Sequence, residues 1–259
     1  MDWVKLEEQV RLLNKGQRLI IRDDVHDFSE LQGWLELASR KKLKPVLLDT
    51  GQFGLSELIV LSDFHFAFYT GDVARPDFNQ LAAITELFKK KGCPVYFFLE
   101  DGSQAGAFDS KLASGFKSVF ISSRNKTWEP GLLSKLAEET SAGGSALVYY
   151  HHDQPDGSLA DWLTNNCWLH LSNRFFDESS QPALSELLKN MRKLKGQIII
   201  HLELPASFDY INSLSESGAH LIFSFGPIET RTRLSKLESL WHKKKLPEQA
   251  YFLYQEFMA

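Results

Sequence analysis

Cysteine is nearly absent from this sequence. The two that occur, Cys93 and Cys167, have no CxxC spacing, which speaks against a disulfide scaffold or a paired-thiolate metal centre. Each stands just before a strand-like run and reads as a buried free thiol. A charge excess of one sign is missing too. With 29 basic against 33 acidic residues the net charge is −4, so neither a nucleic-acid partner nor an anionic membrane surface is expected. The runs Lys89-Lys90-Lys91 and Lys243-Lys244-Lys245 read as cations at helix C-termini, where the helix dipole favours them. No apolar run approaches the ~20 residues that a membrane-spanning helix needs. The first residues show no basic stretch followed by an apolar run and a small-residue cleavage site. The expectation is a cytoplasmic protein without a membrane partner, and oligomeric state leaves no signal. Three motifs are also lacking: GxGxxG after the first strand, HxH on the first strand, and HxxxH on a helix.

What is present is a repeat. Gly92, Gly144 and Gly196 stand 52 residues apart, and each precedes an apolar run: Pro94 to Phe98, Ala146 to Tyr150, and Ile198 to Leu202. A second run follows in each copy, Val119 to Ser122, Leu169 to Ser172 and Leu221 to Ser224, and an earlier unit pairs Pro45 to Leu48 with Phe66 to Thr70. Apolar runs rich in β-branched and aromatic residues suit strands buried on both faces. Amphipathic helical patterns separate them, such as Leu184, Leu187, Leu188 and Met191, with Pro182 in the first turn. Asp27 and Asp77 are placed to cap the helices that follow them.

Alternating strands and helices with this periodicity predict an α/β fold, a (βα)8 TIM-type barrel of about four ~50-residue β-α-β-α repeats. An open doubly wound parallel sheet is the runner-up. With 43% hydrophobic residues the chain can bury one large core, so residues 1–259 are expected to form a single domain. A helix over 3–15 would dock on it, with repeat units at about 44–92, 93–144, 145–196 and 197–245. Four units supply eight strands, and Leu19 to Ile21 makes a ninth. One of the nine would then stand outside an eight-stranded barrel.

In such a fold the working face lies where strands end, so polar residues there are the candidates for chemistry. Asp23, Asp49, Glu100 and Glu203 are the candidate catalytic carboxylates, suited to paired acid and base roles. His151 and His201 are the candidate ligands of a divalent metal such as zinc or manganese, which would activate water or polarise a carbonyl. The neighbours His151 and His152 must point to opposite sides of an extended strand. Two echoes remain, Ser122-x-Arg124 and Ser172-x-Arg174, in which the same polar pair recurs at the same point of two units. The functional expectation is a small-molecule enzyme, hydrolase or isomerase, with divalent-metal assistance as an option, and with its site at the C-terminal rim of the strands. The alternative is a non-catalytic barrel acting as a binding or scaffold module. Each polar strand end also has a plain structural reading as a helix cap or turn former.

Overall fold

The computed structural model describes residues 18–124, 126–162, 166–193 and 196–223. The helix expected over 3–15, the second helix of the last repeat and the Lys243-Lys244-Lys245 run lie outside the described residues.

Nine strands alternate with helices in the described chain: β1 (Arg18–Arg22), α1 (Phe28–Lys41), β2 (Lys44–Leu48), α2 (Leu55–Leu61), β3 (Ala67–Gly71), α3 (Phe78–Lys91), β4 (Val95–Phe98), α4 (Ser110–Ala113), β5 (Ser118–Ser122), α5 (Pro130–Ala142), β6 (Ala146–His151), α6 (Leu159–Trp162), β7 (Cys167–Ser172), α7 (Gln181–Lys193), β8 (Gln197–Leu202), α8 (Phe208–Glu216) and β9 (His220–Phe223). The chain clusters into two compact units, residues 1–120 with 142–145, and residues 121–141 with 146–259. In the first unit the strands pair in parallel and in sequence order from β1 to β5; in the second, the order from β6 to β9 is equally monotonic.

That order decides between the two expected architectures. A doubly wound sheet needs a point where strand order reverses, so that helices cover both faces. Monotonic order with right-handed crossovers puts every helix on one face. The fold class is therefore α/β of the (βα)8 TIM-barrel type. Every one of the nine strands is hydrogen-bonded to a sequence neighbour, so β1, the surplus strand of the sequence count, is no detached element but pairs with β2 from Arg18↔Lys44 to Arg22↔Leu48.

Local chemistry explains where the helices begin and end. Asp27 caps α1 by accepting the Glu30 N–H at 2.9 Å, and Asp77 caps α3 by accepting the Asn79 N–H at 2.9 Å. Lys89, Lys90 and Lys91 fill the last turn of α3, and Gly92 closes it in the left-handed region at φ 72°. The long-helix stripes are buried as their spacing demands: Leu31, Trp34, Leu35 and Ala38 on α1, and Leu184, Leu187, Leu188 and Met191 on α7. Both cysteines are buried and neither forms a disulfide among the described residues.

In the first unit Phe68 of β3 packs on Phe88 of α3 and Phe97 of β4 on Phe78, which identifies the helix-covered side of the sheet. The opposite side carries a stack of rings, Tyr69 on Tyr96 with centroids 4.4 Å apart and Phe98 on Phe120 at 5.0 Å. Strand alternation ties every other residue to one of these two sides.

Candidate functional site

The polar ends of the strands fall into two groups according to the side on which they emerge. In the first unit, Ile21 and Leu47 are in register with Phe68, so Asp23 and Asp49, two residues further along, continue the helix-covered side. Asp23 accepts the backbone N–H groups of Thr50 at 2.8 Å and Gln52 at 3.1 Å; burial, with Asp49 close by, raises its pKa. Asp49 receives both forks of Arg75, at 2.9 and 2.7 Å, and the Thr70 hydroxyl at 2.6 Å. Arg75 also donates to the Phe53 carbonyl at 2.7 Å. Both members of this pair are buried, and the guanidinium and carboxylate satisfy each other. Asp23 and Asp49 are thus brought together, as parts of the frame that holds the loop after β2.

Glu100 emerges on the other side, leaning over Gly71, where an added Cβ would lie 3.3 Å from its Oε1. Burial and then the neighbouring Asp72 raise the pKa of its carboxyl group. A groove of about 560 Å³ also opens in this unit, between the start of α3 and the turn before α4, lined by Asp77, Gln104, Lys111 and Gly115 among others. It runs along the helix layer, and Asp23, Asp49 and Glu100 are not among its lining residues.

The second unit gathers the histidines. Tyr150, His170 and Ile199 are in register on neighbouring strands, and Ser172 is in register with His201 one step further on. The His170 ring lies against Tyr150, centroids 4.3 Å apart, and stacks on His201 with the rings 25° from parallel. His170 Nδ1 and His201 Nε2 are 2.8 Å apart, so one ring donates and the other accepts. Two cationic rings could not share that bond. Burial holds both neutral: it pushes the His170 pKa down to about 3, and burial followed by the charges of His170 and His152 pushes that of His201 well below the ordinary value.

His152 stands just past β6 on the Tyr150 side, within electrostatic reach of His201, its ring edge-on to Phe175. Burial, then the positive charge of Arg124, lowers its pKa to about 4. Beyond this layer Arg174 Nε forms an ion pair with Glu203 Oε2, whose side chain is only 7% exposed. Of the buried polar atoms without a hydrogen-bond partner among the described residues, three belong to this cluster: His152 Nε2, His170 Nε2 and Glu203 Oε1.

Glu203 therefore belongs to this cluster, whereas the other candidate carboxylates lie in the first unit. His151 and His201 are not brought together. His151 follows Tyr149, in register with Leu171, and meets the Tyr149 hydroxyl at 3.2 Å and the Gln154 carbonyl at 3.5 Å. It is His152 that shares the side of His201. No group of three or more His, Cys, Asp or Glu side chains is arranged to hold a metal ion among the described residues. His170 escapes a search of strand ends because it sits inside β7. Its signal is parity: in Cys167-Trp168-Leu169-His170-Leu171-Ser172 the polar residues alternate with leucine.

The loops carrying these side chains are held by one recurring device. The residue just past an odd-numbered strand reaches the loop after the next strand. Asp72 accepts the N–H of Glu100 at 2.7 Å and of Gly102 at 2.9 Å. Ser123 Oγ accepts that of His152 at 2.8 Å, and Asn173 Oδ1 those of Glu203 at 2.7 Å and Leu204 at 2.9 Å.

No family model matches the chain, and no curated protein matches it. Among solved structures it is similar to a truncated form of 3-deoxy-D-arabino-heptulosonate 7-phosphate synthase from Thermotoga maritima, at 14% identity over 81% of this chain and 74% of that one, with a TM-score of 0.36. It is similar to the tryptophan synthase α-subunit from Pyrococcus furiosus at 11% identity, over 82% and 88% of the two chains, with a TM-score of 0.36. A HpcH/HpaI aldolase/citrate lyase family protein from Burkholderia cenocepacia shows 10% identity over 83% and 99%, with a TM-score of 0.35. These likenesses name no reaction for this chain, whose chemistry rests on its own side chains.

Proposed function

We propose that the chain is a small-molecule enzyme, a hydrolase or isomerase, that works by proton transfer at the C-terminal ends of β6, β7 and β8. The observation that carries this reading is the set of three buried, unpartnered polar atoms: His152 Nε2, His170 Nε2 and Glu203 Oε1. Leaving such an atom without a partner costs about 1–3 kcal/mol, a cost that a bound molecule offsets by supplying the missing hydrogen bonds. His152 is the candidate acid and base, since burial keeps it neutral near pH 7 and able to accept a proton. Glu203, held by Arg174, would orient the substrate or take a proton from the opposite side. The His170–His201 pair offers a second imidazole step behind it, because a proton arriving at one ring can be matched by release from the other along their shared hydrogen bond.

Incubating the protein in D2O with a mixture of phosphorylated and carboxylated metabolites, followed by NMR, tests this. Proton-transfer catalysis is expected to appear as a new product or as deuterium in a carbon-bound position, lost in His152→Gln. No turnover and no deuteration with any compound, or equal rates in wild type and His152→Gln, would overturn the proposal.

A further inference from the structure

The Ser-x-Arg echo acquires a geometry in the second unit. Arg124 N–H donates to Ser122 Oγ at 3.2 Å, and Arg174 N–H donates to Ser172 Oγ at the same 3.2 Å. The residues between them are anchored alike, Ser123 N–H to the Tyr150 carbonyl at 3.0 Å and Asn173 N–H to the His201 carbonyl at 3.0 Å. The last serine of β5 and the last serine of β7 thus start the same turn and place an arginine at the same point. In the strand order β6 lies between these two strands, so the arginines flank the segment that carries His152. Arg124 is close enough for its charge to act on His152, and Arg174 binds Glu203.

The complement of charges and donors is specific. Arginine presents a planar fork that fits a carboxylate or a phosphate. The Arg174 side chain remains 60% exposed although its Nε is engaged by Glu203. Asp153, which also acts on His152, and Glu203 balance the two cations, so a bare anion finds no net positive field. Glu203 Oε1 and the Nε2 atoms of His152 and His170 ask for something else. The carboxylate oxygen accepts only, and a neutral imidazole nitrogen accepts or donates according to tautomer. An anionic group for the arginines and an adjacent hydroxyl for the carboxylate would satisfy both sets.

We infer that the site takes a small anion that also bears a hydroxyl group, a hydroxycarboxylate or a phosphorylated alcohol, with Arg124 and Arg174 on the anionic end and Glu203 with the imidazoles on the hydroxyl. This rests on the site proposed above and adds its substrate class.

The test is an NMR titration of the full chain with glycolate, acetate, glycerol and inorganic phosphate, following the imidazole resonances of His152 and His170. Glycolate is expected to bind roughly tenfold more tightly than acetate, by the worth of one hydrogen bond to a charged group, with glycerol weakest. Inorganic phosphate, whose P–OH places a hydroxyl beside the anionic oxygens, is expected to shift the His152 resonance, and a shift with glycolate but not with phosphate assigns the carboxylate source. Arg124→Gln, at an exposed position, and Arg174→Gln should each weaken glycolate binding roughly tenfold. Arg174→Lys, which keeps the charge on Glu203 and loses the fork, should fall between. Equal binding of glycolate and glycerol, equal binding of glycolate and acetate, or wild-type affinity in either Gln variant overturns the inference. Deuterium exchange that depends on His152 while no anion binds would remove the substrate class alone. Anion binding without any turnover would keep that class and remove the proton-transfer reading.

Discussion

Asn173 holds Glu203 by the backbone: its side-chain oxygen accepts the Glu203 N–H at 2.7 Å, across 30 residues of chain. The same amide donates to the Leu204 carbonyl at 2.7 Å, so donor and acceptor are both used on one loop. Asn173→Ala removes the partners of two backbone N–H groups, each of which costs about 1–3 kcal/mol when left unsatisfied. The expected result is a lower urea midpoint with an unchanged slope. Asn173→Asp keeps the acceptor and loses the donor, and is expected to cost less. Equal stability of wild type and Asn173→Ala would show that the clamp contributes nothing.

The buried pair of Asp49 and Arg75 makes a second prediction. Removing one partner of such a pair destabilises by about 3–5 kcal/mol, because the other charge is stranded. Asp49→Asn and Arg75→Gln should each show a large loss, and the double variant less than their sum. Strict additivity in a denaturation cycle would mean the two side chains do not act on each other.

Gly51 provides a third. Its φ is 93°, and a Cβ there would lie 2.6 Å from the Ala74 carbonyl oxygen. Gly51→Ala therefore meets both a disfavoured backbone angle and a rigid backbone neighbour, and is expected to cost about 1–3 kcal/mol or more. A thermal unfolding midpoint equal to that of wild type would contradict the geometry.

Acid should weaken the protein through its histidines. Burial lowers the His170 pKa to about 3 and that of His152 to about 4, both below the ordinary histidine value of about 6.5. Between those values the unfolded chain binds more protons than the folded one, so stability rises with pH there and is lost as pH falls from about 6.5. One such group gives a slope of about 1.4 kcal/mol per pH unit in its window. His170→Phe, which keeps a ring against Tyr150, should flatten the acid limb of a stability-against-pH curve by about one proton. An unchanged limb would mean His170 is protonated in the folded chain.

The sequence by itself determined the order of strands and helices, the caps at Asp27 and Asp77, and the strand ends where polar side chains emerge. These are local properties, set by hydrophobic period and by turn chemistry near each residue. It did not determine which side of the sheet each polar residue takes. Asp23 and Asp49 stand at strand ends like Glu203, yet they continue the side of Phe68 and Phe97 and hold a loop. The reason is the period of two: a strand that ends one residue sooner or later sends its last side chain to the other side. Only the parallel register placed Tyr150 beside His170 and Ser172 beside His201, and so made a cluster from residues 20 or more positions apart in the chain. The site is thus a product of pairing between strands, which no single stretch of sequence contains.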